Sequence, residues 1–400
     1  MASKKALRRT APLAAAAAAL ALGVLAAPAV AAPAAGAPPA ATAPANATPS
    51  APKVSLSSPT FSGRLYGVTA ISPSDVWAVG LTDDGTLELN WTGRNWVEYP
   101  VATANGYFNA VASTSARNVW AVGGTNWFSP SQPLADRWTG KSWTRVATPN
   151  PAGGGYFNAV AATSTSNAWA VGLVGPGGPG VPAPTTPLIE HWNGKRWTEQ
   201  SFPAVPDGGQ FSGVAASSAA NAWAVGWTGA AVGQTLIDHW NGRSWTRVPS
   251  PNVPGATGNI LKAVTVVSST SAWAVGSASV GGSSKALVLH WDGKRWTIAA
   301  SNTPDGDAGL LGVLATWTNN IWAVGIVHPS SCSNGGPKCQ TLIEHWNSKR
   351  WKVLPSPNPP SGYLNLLWAA SATSRGNIWA VGTTDYAQTL IVHWNGSAWS

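Results

Sequence analysis

The chain has 400 residues, 44% of them hydrophobic and 10% charged, with 25 tryptophans, two cysteines and a formal net charge of +9. Four of its 24 lysines and arginines (Lys4, Lys5, Arg8 and Arg9) belong to the first segment, which leaves 20 basic against 15 acidic residues downstream and a net charge of +5. That balance argues against nucleic-acid binding by charge alone, and no later segment is long and apolar enough to span a membrane.

Residues 1–31 read as a secretory signal peptide. The basic start is followed by an Ala/Leu-rich apolar stretch from Leu13 to Ala27 and a small-residue site at Ala29-Val30-Ala31, the order expected of a cleaved leader. A twin-arginine signal is the weaker reading, because Arg8-Arg9 lacks the usual apolar residues after it. Residues 32–52, nearly all Ala, Pro, Thr and Gly, cannot bury a core and read as a semi-extended spacer. The expected location is extracellular, free or at the cell surface.

From residue 53 to 400 the chain repeats one unit seven times. Each copy has Trp-Ala-Val-Gly, with its Trp at 77, 120, 169, 223, 273, 322 and 379, and later a pair of Trps five positions apart, from Trp91/Trp96 to Trp394/Trp399. These positions use 21 of the 25 Trps, so Trp is mainly architectural. A repeat of about 50 residues rich in short strands indicates an all-β, seven-bladed β-propeller of four-stranded antiparallel blades.

The third copy shows the plan. Phe157–Ala162 is expected as strand A, Ala168–Gly172 as strand B, Pro187–Trp192 as strand C, and strand D begins at Trp197, with Asn, Ser and Gly clusters between them. A two-residue C–D turn would force positive φ on Thr92 and Thr139, which a β-branched residue resists. A four-residue loop instead sets the two Trps of each pair opposite one another, where aromatic pairs stabilise. The seventh copy reaches only Trp399-Ser400 where strand D should begin, and Lys53–Pro59 resembles the strand D ends of other copies. The expectation is that this N-terminal segment supplies the last strand and closes the ring, removing two exposed edges.

Strand B ending in Gly, then a strand C aromatic, a Trp and a Pro-containing loop, resembles the kelch repeat. The Trp-Ala-Val-Gly strand is similar to blades of bacterial secreted propellers of unassigned role. The paired glycine of kelch strand B occurs only at Gly123-Gly124. Copper oxidases built on kelch-like propellers use a Tyr/Cys/His constellation, which two cysteines in one loop do not provide.

Spacing separates two faces. Strand A to strand B is constant, nine residues from Val111 to Trp120, Val160 to Trp169 and Val214 to Trp223, and the C–D turn is constant in all copies. The B–C and D–A loops vary, the longest B–C stretches being 174–186 and 327–340. Variable loops on a rigid scaffold are the usual place for binding, and Trp127 and Phe128, aromatics outside the repeat, are candidates for stacking on sugars. On the constant face, Arg94, Lys141, Lys195, Arg196, Arg243, Lys294, Arg295, Lys349 and Arg350 all fall in C–D turns. Such a ring would attract an anionic polymer in a salt-sensitive way, unless exposed turns simply carry solubilising charge.

Cys332 and Cys339 lie in one loop and are expected as a disulfide; zinc with His328 lacks a fourth ligand. Five histidines (His191, His239, His290, His345 and His393) share one repeat position on five blades, so they cannot meet at one metal. Glu190, Asp238 and Glu344 share another, and no close carboxylate pair stands out. Asp83-Asp84 and Asp305-Gly306-Asp307 are weak calcium candidates. No Gly-x-Ser-x-Gly elbow, His-Glu-x-x-His or phosphate loop is present. No catalytic residue, metal or cofactor is assigned. The reading is a secreted, monomeric, non-catalytic binding propeller for a glycan, anionic wall polymer or exported protein. The alternatives are a carbohydrate-processing enzyme with a pocket on the variable face and a scaffold for exported proteins.

Overall fold

The computed structural model describes residues 60–400 except 101, 128–130, 176–184, 230–232, 304–306, 328–331, 333–337 and 361. The segments expected as signal peptide (1–31) and spacer (32–52), with Lys53–Pro59, Phe128, His328 and Asp305-Gly306, therefore lie outside the described residues. All regular structure described is β: 27 strands form seven antiparallel sheets, six of four strands and one of three. The third blade runs Gly155–Ser164 (strand A), Asn167–Val174 (B), Thr186–Trp192 (C) and Trp197–Glu199 (D), matching the sequence expectation with longer A and B strands. The seven A strands touch one another in a closed circle around the axis, so the blades radiate with D outermost.

Each A strand carries the same β-bulge. In the first blade the register jumps from Leu65↔Gly80 to Gly67↔Val79, leaving Tyr66 as the extra residue, and the jump recurs in all seven. A bulge bends the strand and re-aims a side chain. It also explains the Gly that ends Trp-Ala-Val-Gly. A Cβ on Gly226 would lie 1.9 Å from the Gln210 carbonyl oxygen, and the other six copies show 1.8–2.0 Å. The residue after the bulge is small in every blade because neighbouring A strands approach there. A Cβ on Gly67 would meet the Ala110 backbone at 2.9 Å.

The Trps bind blade to blade. Trp192 and Trp197 do face each other across the C–D hairpin, with centroids 6.0 Å apart. Their closer contact is with Trp120 of the preceding blade, whose ring lies 5.0 Å from both. The same three-ring cluster recurs at each interface, and between the last blade and the first it is Trp379 with Trp91 and Trp96 at 5.3 and 5.4 Å. Tilted and edge-on contacts at this range add to the area buried. The cross-strand pairing is as expected, and the inter-blade contact is an addition to it.

Closure involves both ends of the described chain. The outer edge of the seventh blade's strand C, Gln388–Trp394, is covered in two pieces. Trp399 bridges Trp394, and Ser400 and His393 exchange two backbone hydrogen bonds of 2.9 Å. Further along, Ser62 bridges Gln388, the Thr389 N–H donates to the Phe61 carbonyl at 3.0 Å, and the Gly63 N–H donates to Ala387. The N-terminal side thus does pair with the last blade, and the described residues that do so are Phe61–Gly63.

Candidate functional site

Antiparallel order A-B-C-D places all A–B and C–D turns on one face and all B–C and D–A loops on the other. The turn face carries the nine predicted cations, every one of them exposed, together with Arg117 and Arg375 from A–B turns. Only two acids, Asp75 and Asp292, share it. The loop face has the opposite bias: among its described residues Asp83, Asp84, Asp207, Asp307 and Asp385 outnumber Arg64, Lys262, Lys285 and Lys338. The molecule is therefore polarised along its axis.

Local chemistry fixes the basic turns. In the third blade Asn193 opens a four-residue loop, its Oδ1 accepting the N–H groups of Lys195 and Arg196 at 3.0 and 3.1 Å, while Gly194 takes φ +91°. Positive φ falls on Gly93 and Gly140 in the first two blades, sparing Thr92 and Thr139. The two cations that follow are pushed into solvent. Asp292 fills the Asn role in the fifth blade, and its carboxyl is held below the usual range by the N–H groups of Arg295 and Lys294.

One aromatic on this face was not anticipated. Trp317 stands where six other A strands end in Ser, and it is 64% exposed. The Arg375 guanidinium sits 5.5 Å from its ring centre. With Val266, Val267, Ala315, Thr316 and Thr318 it lines a shallow depression of about 330 Å³ between the fifth and sixth blades. The sequence signal was a Trp breaking a Ser position.

The loop face gathers a second set. Trp127 stacks nearly parallel to Tyr66 (7°, centroids 6.4 Å) and meets Tyr107 edge-on at 4.8 Å. Tyr66 meets Trp368 at 5.4 Å. Arg64 donates to the Tyr386 carbonyl at 2.6 Å and lies 5.0 Å from that ring's centre. Cys332 and Cys339 form the expected disulfide, Cα atoms 5.4 Å apart, and pack with Tyr363, Trp368 and Tyr386. Five of the chain's six tyrosines are here; the sixth, Tyr99, sits among inter-blade Trps.

The repeated histidines and carboxylates are structural. His191 lies on Trp169 at 4.3 Å and shares a hydrogen bond with Asn167 at 2.7 Å, an arrangement repeated by His239 and His393. Asp136 joins Glu190, Asp238 and Glu344 at their shared position, with Asp136 and Asp238 bound by Arg145 and Arg247. Glu88 occupies the adjacent position and faces Asp136 across an interface. Its carboxyl is pushed up to about 8 by burial, against the pull of the Thr86 hydroxyl and with help from the Asp136 and Glu98 charges. Glu88 is 0% and Asp136 2% exposed, so this pair is closed to a substrate. No cluster of three or more metal-ligating side chains occurs among the described residues.

No protein-family model matches the sequence, kelch included, and no curated protein matches it. The fold is similar to solved propellers. YCF48 bound to a D1 peptide superposes with a TM-score of 0.53 at 14% identity, over 84% of this chain and 96% of that one. A PL25 polysaccharide lyase, ulvan lyase, bound to -[GlcA(1-4)Rha3S]-, gives 0.55 at 8% identity over 84% and 94%. The WD40 repeats of RRP9 give 0.51 at 11% over 83% and 96%. These likenesses define the class, a seven-bladed β-propeller, and nothing narrower.

Proposed function

We propose that this is a secreted, non-catalytic binding propeller whose turn face holds an anionic polymer of the cell wall or its surroundings, a uronic-acid polysaccharide or a teichoic acid. The observation that carries the reading is charge segregation: eleven cations against two acids on one face of a mature chain of only +5. The cations recur on all seven blades, so a long polymer meets many weak contacts at once, and avidity replaces a deep pocket. Trp317 adds a platform on which a sugar ring can stack beside the Arg375 charge. The disulfide accords with an oxidising exterior. A solved propeller of the same fold is bound to an anionic oligosaccharide, a precedent for the ligand class on this scaffold.

The test is retention of the mature protein on immobilised polygalacturonate and lipoteichoic acid at two ionic strengths. Raising salt from about 0.05 to 0.5 M shortens the screening length several-fold and should release the protein. The variant Lys294→Glu, Arg295→Glu, Lys349→Glu, Arg350→Glu should bind roughly tenfold more weakly, and Trp317→Ala about fivefold more weakly, roughly 1 kcal/mol. Salt-indifferent retention, or none, would count against the reading.

A further inference from the structure

The A-strand bulge offers the fold seven equivalent positions. Before it every blade has Leu or Phe, and after it Gly or Ala. The bulged residue itself obeys no such rule. Asn109 and Asn158 spend theirs on tying neighbouring A strands, each donating at 2.8 Å to the next blade's carbonyl. Tyr66, Lys262 and Trp368 make no such tie. Architecture does not require these side chains at the one place where all blades converge.

Three of the groups there are continuous. Trp368, Tyr66 and Trp127 come from the seventh, first and second blades and touch in sequence, at 5.4 and 6.4 Å. All are half-buried, which leaves ring surface open to solvent. Arg64 lies beside them, fixed on Tyr386. Across the ring, Lys262 occupies the same bulge in the fifth blade and has no hydrogen-bond or carboxylate partner among the described residues. Its burial lowers the amine to about 8, which leaves it a cation at neutral pH. Lys262 is half-buried, and the partial loss of water around an unpaired cation is a cost that a bound anion would offset.

We propose that the loop-side end of the ring axis is a second binding site, for an acidic saccharide whose ring stacks on Tyr66, Trp127 and Trp368 and whose carboxylate is met by Arg64 and Lys262. The aromatics are Tyr and Trp rather than Phe or Leu, so each pairs an apolar face with a polar tip. A pyranose needs that combination, having C–H faces and hydroxyl edges; an aliphatic partner does not. The site lies on the face opposite the basic turns and does not depend on them.

Calorimetric titration of the mature protein with trigalacturonate, and with neutral maltotriose, in about 0.5 M salt isolates this site, because the exposed turn cations are then screened. The expected result is one trigalacturonate per chain, with maltotriose bound at least roughly tenfold more weakly. Trp127→Ala should weaken trigalacturonate roughly tenfold, and Lys262→Gln should erase the preference for the acid. The quadruple turn-face variant should bind as the parent does. If Trp127→Ala proves unfolded by its melting curve, Lys262→Gln decides alone. Absence of saturable binding overturns the proposal. So does binding abolished by the turn-face variant and untouched by Lys262→Gln, which would leave only the basic face as a site.

Discussion

Glu190 shows how far a single residue can be read physically. It is fully buried in strand C, neither carboxylate oxygen has a hydrogen-bond partner among the described residues, and it pairs in register with Glu199. Burial first, and the Glu199 charge second, push its carboxyl up to about 8 from an ordinary value of 4.5. Between those values the folded protein keeps a proton that the unfolded chain releases. Glu190 therefore destabilises the fold progressively as pH rises from about 4.5 to about 8. The half-buried histidines act in the opposite sense, since partial burial lowers them and their cost appears as pH falls below the ordinary value of 6.5. The difference between parent and Glu190→Gln cancels the histidines. The variant should match the parent near pH 5 and exceed it at pH 8.5 by at least about 1 kcal/mol, read from urea midpoints at the two values. An equal gap at both would mean that the carboxylate has found a partner inside.

Among the elements, the C–D hairpin was the most legible. Its four-residue length followed from Thr92 and Thr139, because positive φ there is costly, and the structure puts that φ on the Gly one position later. The sixth blade departs from this: Ser348 replaces the Gly and holds φ +78°. A non-glycine residue in that region costs roughly 1–2 kcal/mol. Ser348→Gly should raise stability by about 1 kcal/mol, visible as a higher urea midpoint with an unchanged slope. Other features were not legible. The bulge in strand A leaves no mark on a single copy, because Tyr66, Asn109 and Lys262 share no property except their place in register. The invariant Gly of strand B was its trace, although a strand ending in Gly does not say which carbonyl it must clear. The basic turns were visible because they are local in sequence. The aromatic group at the axis was not, because Tyr66, Trp127 and Trp368 come from three blades and meet only in the folded ring.

At the scale of the whole molecule the ring is held by seven equivalent interfaces, and its weak point is where the chain does not run continuously from one blade to the next. Six interfaces are linked by covalent D–A connections. The seventh relies on the Trp379 cluster, on Arg64 reaching Tyr386, on the Ser371 hydroxyl accepting the Ala70 N–H at 3.0 Å, and on Phe61–Gly63 beside the last strand C. Removing residues 53–63 would uncover the backbone edge near Gln388 while leaving every other interface intact. Exposed edges favour pairing between chains, so two effects should appear together. The melting temperature should fall by about 3 °C or more, the shift produced by roughly 2 kcal/mol in a domain of this size. Light scattering at rest should also rise with protein concentration. Trp379→Ala weakens the same interface without baring the edge, and should lower the melting temperature without the scattering. If both variants scatter alike, loosened packing rather than the open strand edge is what drives association, and the paired N-terminal segment is not the device that closes the ring.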